Sequence, residues 1–312
     1  VRAKRNSLLL AGGALLLAAL LAALGVGEKA GVFPDWQAFV LGITQGLTEL
    51  LPISSSGHLI LVPWLGDWQY LKTHDAFNKT FDVALHLGTL VAVIACFWQE
   101  IVRLLGAWLR SLQRRAVAPG DEHLAWLLFV ATIPAALAGA VGESFIEKRL
   151  GDPWQIALAL AVFAGVLWIA DRQPQGELMS ELRYGAALGI GVAQALALIP
   201  GVSRSGVTIS AARLLRLDRD AAARFSFLLL VPIVAGAAAL KFTDLIGSGF
   251  PAGSGGPFAV GMLAALGSGF FAVWGLLGYV RRHSYAPFVA YRLLLALALL
   301  VLIASGVRSA HF

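Results

Sequence analysis

Two short segments of this 312-residue chain carry side chains whose types and spacing can do chemistry. In the first, Gln45 and Glu49 stand four residues apart, so a helix through them sets both on one face. Pro52 stops that helix. Directly after it come Ser54, Ser55, Ser56, Gly57 and His58, hydroxyls and an imidazole at the start of a returning helix. In the second segment, Ser203, Arg204, Ser205 and Thr208 follow Pro200 and Gly201. A helix start offers free backbone N–H groups and the positive end of a dipole, which suits an anion. Arginine is the side chain best shaped for bidentate phosphate recognition. A carboxylate deep in an apolar segment costs roughly 2.5–3.5 kcal/mol, so Glu49 calls for a cation. Mg2+ is the natural candidate, since it commonly takes one or two carboxylates together with substrate phosphate oxygens. Carboxylate, serine–histidine cluster and arginine together describe a phosphate-handling site with a divalent cation.

The elements that position these residues are related to each other. LGITQGLTELLPISSSGHL (residues 41–59) aligns with IGVAQALALIPGVSRSGVT (190–208) on Ser-x-Ser-Gly, at a shift of 203 − 54 = 149 that also carries Gln45 onto Gln194 and Ser55 onto Arg204. Hydrophobic residues make up 58% of the chain and charged ones 13%, with mean hydropathy +0.77, against about 25% charged in soluble domains. This is the composition of a polytopic membrane protein. Stretches near the ~20 residues that cross a bilayer fall at 8–27, 81–100, 123–142, 154–171, 225–246, 257–280 and 285–307. The two motif segments are left over, each broken by proline and Ser/Gly at mid-span. Two broken helices at equivalent points of two halves point to a site at the repeat interface. The formal charge of +6 is scattered between apolar spans and forms no nucleic-acid patch. The single cysteine, Cys96, excludes an intramolecular disulfide.

The expected fold is therefore an all-α integral membrane protein with an inverted-topology repeat. Each half, about 36–171 and 184–307, holds one re-entrant helical hairpin plus three transmembrane helices. Residues 1–30 add an N-terminal apolar span or signal-like segment, its length favouring a retained span, and 31–312 form a single membrane-embedded catalytic domain. With the N-terminus inside, sixteen basic residues, Arg292 among them, fall on the cytoplasmic side and seven outside. The first hairpin then opens outward and the second to the cytoplasm.

QGLTELLPISSSGHL and PGVSRSGVT resemble the two signature regions of the undecaprenyl-diphosphate phosphatase family, also called the bacitracin-resistance family, and FSFLLLVP at 225–232 is similar to a further family segment. The resemblance spans roughly residues 36–307. It implies a multi-pass enzyme of the bacterial cell membrane that hydrolyses a phosphoric anhydride bond, turning C55 polyprenyl diphosphate into the monophosphate. That recycles the carrier lipid for cell-wall synthesis and confers bacitracin resistance. Carried over residue by residue, it gives Glu49 and Gln45 the metal and diphosphate side and Ser55 with His58 the catalytic cluster. Arg204 takes the phosphate, with Ser54, Ser56, Ser203, Ser205 and Thr208 as substrate contacts. The family pattern allows either glutamate or glutamine at the first position. Gln45 can coordinate through oxygen but supplies no charge.

Ser55 attacking with His58 as base is the preferred mechanism, and water activated by His58 the alternative. Partners are the lipid substrate and membrane lipids, and a homodimer is compatible with the chain. Asp82 and His86, four residues apart on the next span, could extend the site, and an interfacial hydrogen-bonded pair is the favoured reading. The rival reading is a polyprenyl-phosphate transporter or flippase, because opposed broken helices are also a transporter design. Against it, Leu198 replaces Glu49, Arg204 replaces Ser55 and Val207 replaces His58 in the second half, an asymmetry a carrier does not need.

Overall fold

The computed structural model describes residues 33–248 and 254–311, and the expected span at 8–27 lies outside them. The described residues form helices α1 (Asp35–Leu50), α2 (Ser55–Gly66), α3 (Gln69–Thr73), α4 (Asp75–Arg114), α5 (Asp121–Arg149), α6 (Pro153–Asp171), α7 (Tyr184–Ala195), α8 (Arg204–Leu214), α9 (Arg219–Ser248), α10 (Gly255–Val280) and α11 (Ala286–Ala304). Short 3-10 turns occupy Met179–Glu181 and Leu196–Leu198. Among the described residues the only β-pairing is an isolated bridge between Glu177 and Leu217.

Six of these helices, α4, α5, α6, α9, α10 and α11, are long and apolar enough to cross a membrane; the first five each contain one of the expected spans, and α11 lies within the last, 285–307, ending three residues earlier. Their outer faces carry exposed Leu137, Val141, Leu294, Leu297 and Val301, a surface suited to acyl chains rather than water. The inner faces close a core around Leu90, Val93, Leu127, Phe225, Phe227 and Val273. α4 runs further than expected. It has 40 residues, about 60 Å at 1.5 Å per residue. It bends at Phe97, where φ is −111° and ψ 17°. Arg103 and Arg110 do not end it, because arginine is a good helix former and the apolar period continues through buried Leu104 and Ala107.

The two motif segments fold as helix–break–helix. α1 ends before Leu51-Pro52, and α7 tightens into the 3-10 turn before Pro200-Gly201. The helices that follow start from Ser54 and Ser203, whose φ values are 77° and 76°. Non-glycine residues rarely hold such angles, at roughly 1–3 kcal/mol each, and they do so mainly at functional sites. Each serine hydroxyl accepts a hydrogen bond from the helix it opens, from Gly57 N at 3.4 Å and from Gly206 N at 3.1 Å.

Each motif helix is seated on a helix from the other half. α1 packs along α10, and α7 along α5. Gly42 and Gly191 make these contacts close: a Cβ on Gly42 would come 2.3 Å from Gly261 O, and one on Gly191 2.4 Å from Ala131 O. Small residues that let backbones approach are the usual means of joining helices in lipid.

Candidate active site

The two breaks meet and hold each other. Ser54 Oγ accepts the Gly201 N–H at 3.0 Å, and Ser205 Oγ donates to Leu51 O at 2.9 Å. Arg292 completes the join from α11. Its fully buried guanidinium donates to Pro52 O (3.2 Å), Gly201 O (3.0 Å), Val202 O (3.0 Å) and Leu160 O (3.2 Å), so one side chain serves carbonyls of both breaks. Irregular backbone inside a membrane protein must find such partners, because the hydrocarbon around it offers none. This corrects the charge count: Arg292 is an interior residue rather than a cytoplasmic one, leaving fifteen basic residues against seven, 16 − 1 = 15, with the sign unchanged.

The reactive side chains gather beside that join. Glu49, in the last turn of α1, is 5% exposed. Its Oε1 accepts Arg204 Nε at 3.1 Å, and its Oε2 accepts both the Ser55 hydroxyl and Gln45 Nε2, the latter at 3.3 Å. His86 also reaches Glu49, its Nε2 lying 3.6 Å from Oε2. Its Nδ1 bonds the backbone oxygen of Asp82 at 2.8 Å, which turns Nε2 toward the site. His86 thus contacts the site rather than forming a side-chain pair with Asp82. Arg204 donates through Nη1 to Ser226 O at 2.9 Å, and its Nη2 is buried without a partner.

His58 does not face Ser55. Its Nδ1 lies 2.6 Å from Ser54 O and its Nε2 2.7 Å from the Tyr291 hydroxyl, with the two rings stacked. A carbonyl only accepts, so Nδ1 carries the proton, and Nε2 of the neutral ring accepts from Tyr291. The expected Ser55–His58 pair is therefore replaced by Ser55–Glu49. The imidazole folds back over the cap of its own helix, while the carboxylate comes from across the break.

Most of the remaining hydroxyls point into protein. Ser203 Oγ lies 3.3 Å from Ser205 Oγ, and Thr208 Oγ1 lies 2.7 Å from Arg204 O and 2.8 Å from Ser226 Oγ. Ser54, Ser203, Ser205 and Thr208 thus brace the breaks in this structure, and half-buried Ser56 sits 3.5 Å from Ser54 Oγ. For a cation the donors are Glu49, Ser55 and Gln45, whose Oε1 is buried with no hydrogen-bond partner. No group of three or more His, Cys, Asp or Glu assembles among the described residues. An oxygen set with one carboxylate fits a hard ion that takes the rest of its ligands from water and phosphate.

The residues absent from the expected site are Arg292, Tyr291 and Ser226, together with His86, for which the interfacial pair is the reading the sequence favours. Arg292 did carry a signal, as a lone arginine inside an apolar span. Tyr291 and Ser226 carried none beyond their neighbours.

Residues 38–298, a stretch that includes every side chain just described, match the family described as bacitracin resistance protein BacA. The chain belongs to that family. This BacA-family protein is 44% identical over 270 residues to the undecaprenyl-diphosphatase of Desulforudis audaxviator, covering 86% of this chain and 97% of the relative. It is 48% identical over 259 residues to the undecaprenyl-diphosphatase of Geobacter sulfurreducens, covering 82% and 94%. The protein of that name from Pelotomaculum thermopropionicum is 45% identical over 271 residues, covering 86% and 97%.

Proposed function

We infer that the protein is an undecaprenyl-diphosphatase, a membrane hydrolase that cleaves the terminal phosphate from a polyprenyl diphosphate. The observation that carries the chemistry is the Ser55 hydroxyl bonded to the Glu49 carboxylate, with Arg204 on the carboxylate's other oxygen. A serine hydroxyl needs an adjacent base to attack, and Glu49 is placed to take its proton. In the reaction proposed, Ser55 Oγ bonds to the terminal phosphorus and the bridging P–O bond breaks. The polyprenyl monophosphate leaves. Water then cleaves the serine phosphate. Arg204, with Nη2 uncommitted, offsets charge on the transferred group, as guanidinium groups do in phosphoryl transfer. His58, held in one tautomer by Ser54 O and Tyr291, is the second proton carrier. Glu49 and Gln45 would hold Mg2+, which when bound supplies positive charge to the diphosphate oxygens.

The architecture proposed is an inverted repeat with two re-entrant hairpins. Its support is the set of features 149 residues apart: strained Ser54 and Ser203, closely packed Gly42 and Gly191, and buried Gln45 and Gln194. The seating of α1 on α10 and α7 on α5 is what exchange of equivalent helices between halves produces. In the orientation proposed the Ser55 hairpin opens to the extracytoplasmic face of the bacterial cell membrane, and the surplus of basic residues on the opposite side supports it.

The test is phosphate release from C55 diphosphate by the purified protein, beside lipid transfer across vesicles that contain it. Release that vanishes in Ser55→Ala is expected. Lipid transfer without phosphate release would make the protein a carrier.

A further inference from the structure

One cavity of the described structure lies away from these breaks. It has a volume of about 480 Å3 and sits between the C-terminus of α6 and the segment entering α11. Asp171, at its edge, is eleven residues beyond Leu160, which touches Arg292; along a helix that is about 16 Å. Arg172, Arg219, Ser284, Gln173 and Gln175 line it beside Asp171, and apolar side chains complete the wall.

The charges are arranged by their neighbours. Asp171 is committed to the protein: Oδ1 accepts Arg219 Nε at 2.6 Å, Oδ2 accepts the Tyr285 N–H at 3.0 Å, and buried Arg213 stands behind at 3.9 Å. One carboxylate thus faces two guanidinium groups before Arg172 is counted. Arg172 lies flat on the exposed Trp168 ring, its guanidinium carbon 3.3 Å from the ring centroid. Stacking fixes the plane of the guanidinium and leaves its edge donors free. Tryptophan at such a position marks the level of lipid headgroups. The same end of the bundle carries Arg216, Arg281 and Arg282 in its loops, with Arg281 tied to Asp220.

We propose that this cavity is a binding site for the phosphate-bearing headgroup of an anionic glycerophospholipid, held by Arg172 and Arg219 with Ser284 and the Gln173 and Gln175 amides beside them. Its size falls within the range of small-molecule pockets. A cationic recess between membrane-spanning helices at the arginine-rich end is the arrangement that selects anionic lipids over zwitterionic ones. The site is separate from the phosphatase centre, so it holds a resident lipid rather than the substrate.

Native mass spectrometry of the purified protein in neutral detergent, titrated with phosphatidylglycerol or phosphatidylcholine, tests it. The wild type is expected to bind phosphatidylglycerol at least about fivefold more tightly, the effect of roughly one arginine near a lipid surface. Arg172→Gln should abolish that preference. Gln175→Glu, which puts a negative charge at an exposed position in place of the amide, should do the same. Phosphatase turnover should be unchanged in both. Equal binding of the two lipids by the wild type would overturn the proposal, as would a preference that survives both substitutions. Displacement of phosphatidylglycerol by millimolar inorganic phosphate would show a free-anion site instead of a lipid one.

Discussion

Arg204→Ala and Glu49→Gln should each destabilise the protein more than the two changes made together. The pair is buried, with side chains 12% and 5% exposed and a 3.1 Å contact. Removing the arginine leaves the carboxylate with neutral Gln45 and Ser55 and with His86 at 3.6 Å. Neutralising the carboxylate leaves a guanidinium whose one other acceptor among the described residues is Ser226 O. Breaking a buried pair from one side costs about 3–5 kcal/mol, because a charge is stranded. In the double variant no charge is stranded, and the loss reduces to hydrogen bonds at about 1 kcal/mol each. Neighbouring sites in one network couple by up to about 3 kcal/mol, and a coupling near that upper value is expected here. Turnover should not recover with stability. Loss of a donor aimed at developing charge lowers kcat by about 10²–10³, so both single variants and the double should be nearly inactive. Denaturant titration in detergent measures the first quantity and phosphate release the second. Additive stability losses, or a double variant that regains activity with its stability, would refute the reasoning.

Arg292→Lys should lower stability by about 2–4 kcal/mol, because an ammonium cannot span four carbonyls from three segments; turnover should fall with it, and a wild-type unfolding midpoint with normal turnover would remove Arg292 as the clamp. Glu49→Gln should abolish metal-dependent turnover, whereas Gln45→Glu should lower the Mg2+ concentration giving half-maximal rate. An unchanged Mg2+ requirement in both variants would take Glu49 out of the metal site and leave Ser55, His58 and Arg204 to act without a metal. With Cys96→Ser in the background, Thr73→Cys should react with an impermeant thiol reagent from outside the cell and Gln113→Cys should not; the reverse pattern would invert the assigned orientation.

Six apolar spans and both breaks are legible in the sequence because they depend on local signals: run length, proline, and the Ser-x-Ser-Gly pattern that opens the next helix. The meeting of Glu49, Ser55 and Arg204 is legible too, since the 149-residue correspondence brings the breaks to one place. The partner of Ser55 is not. Three-residue spacing on a helix favours His58, but the carboxylate that takes the hydroxyl lies six residues back across a turn whose direction no pattern encodes. For His86 the favoured interfacial pair fails for a related reason, because the bond from its Nδ1 to a carbonyl one turn earlier aims Nε2 at Glu49. Arg292 fails differently. Counting basic residues by side weighs charge alone, whereas the position of this one is decided by carbonyls left without donors in two distant segments.

The seating of α1 on α10 has a consequence for biosynthesis. Gly261, against which Gly42 packs, lies 261 − 42 = 219 residues further along the chain, and at about 5–20 residues per second the ribosome reaches it roughly 10–45 s later. During that interval the segment bearing Glu49 and three serines has neither its supporting helix nor the arginine that bridges its carbonyls, and lipid cannot solvate it. The hairpin is therefore expected to wait at the insertion machinery until the last two helices emerge, which makes chains truncated before α10 targets for membrane proteolysis rather than half-active enzymes.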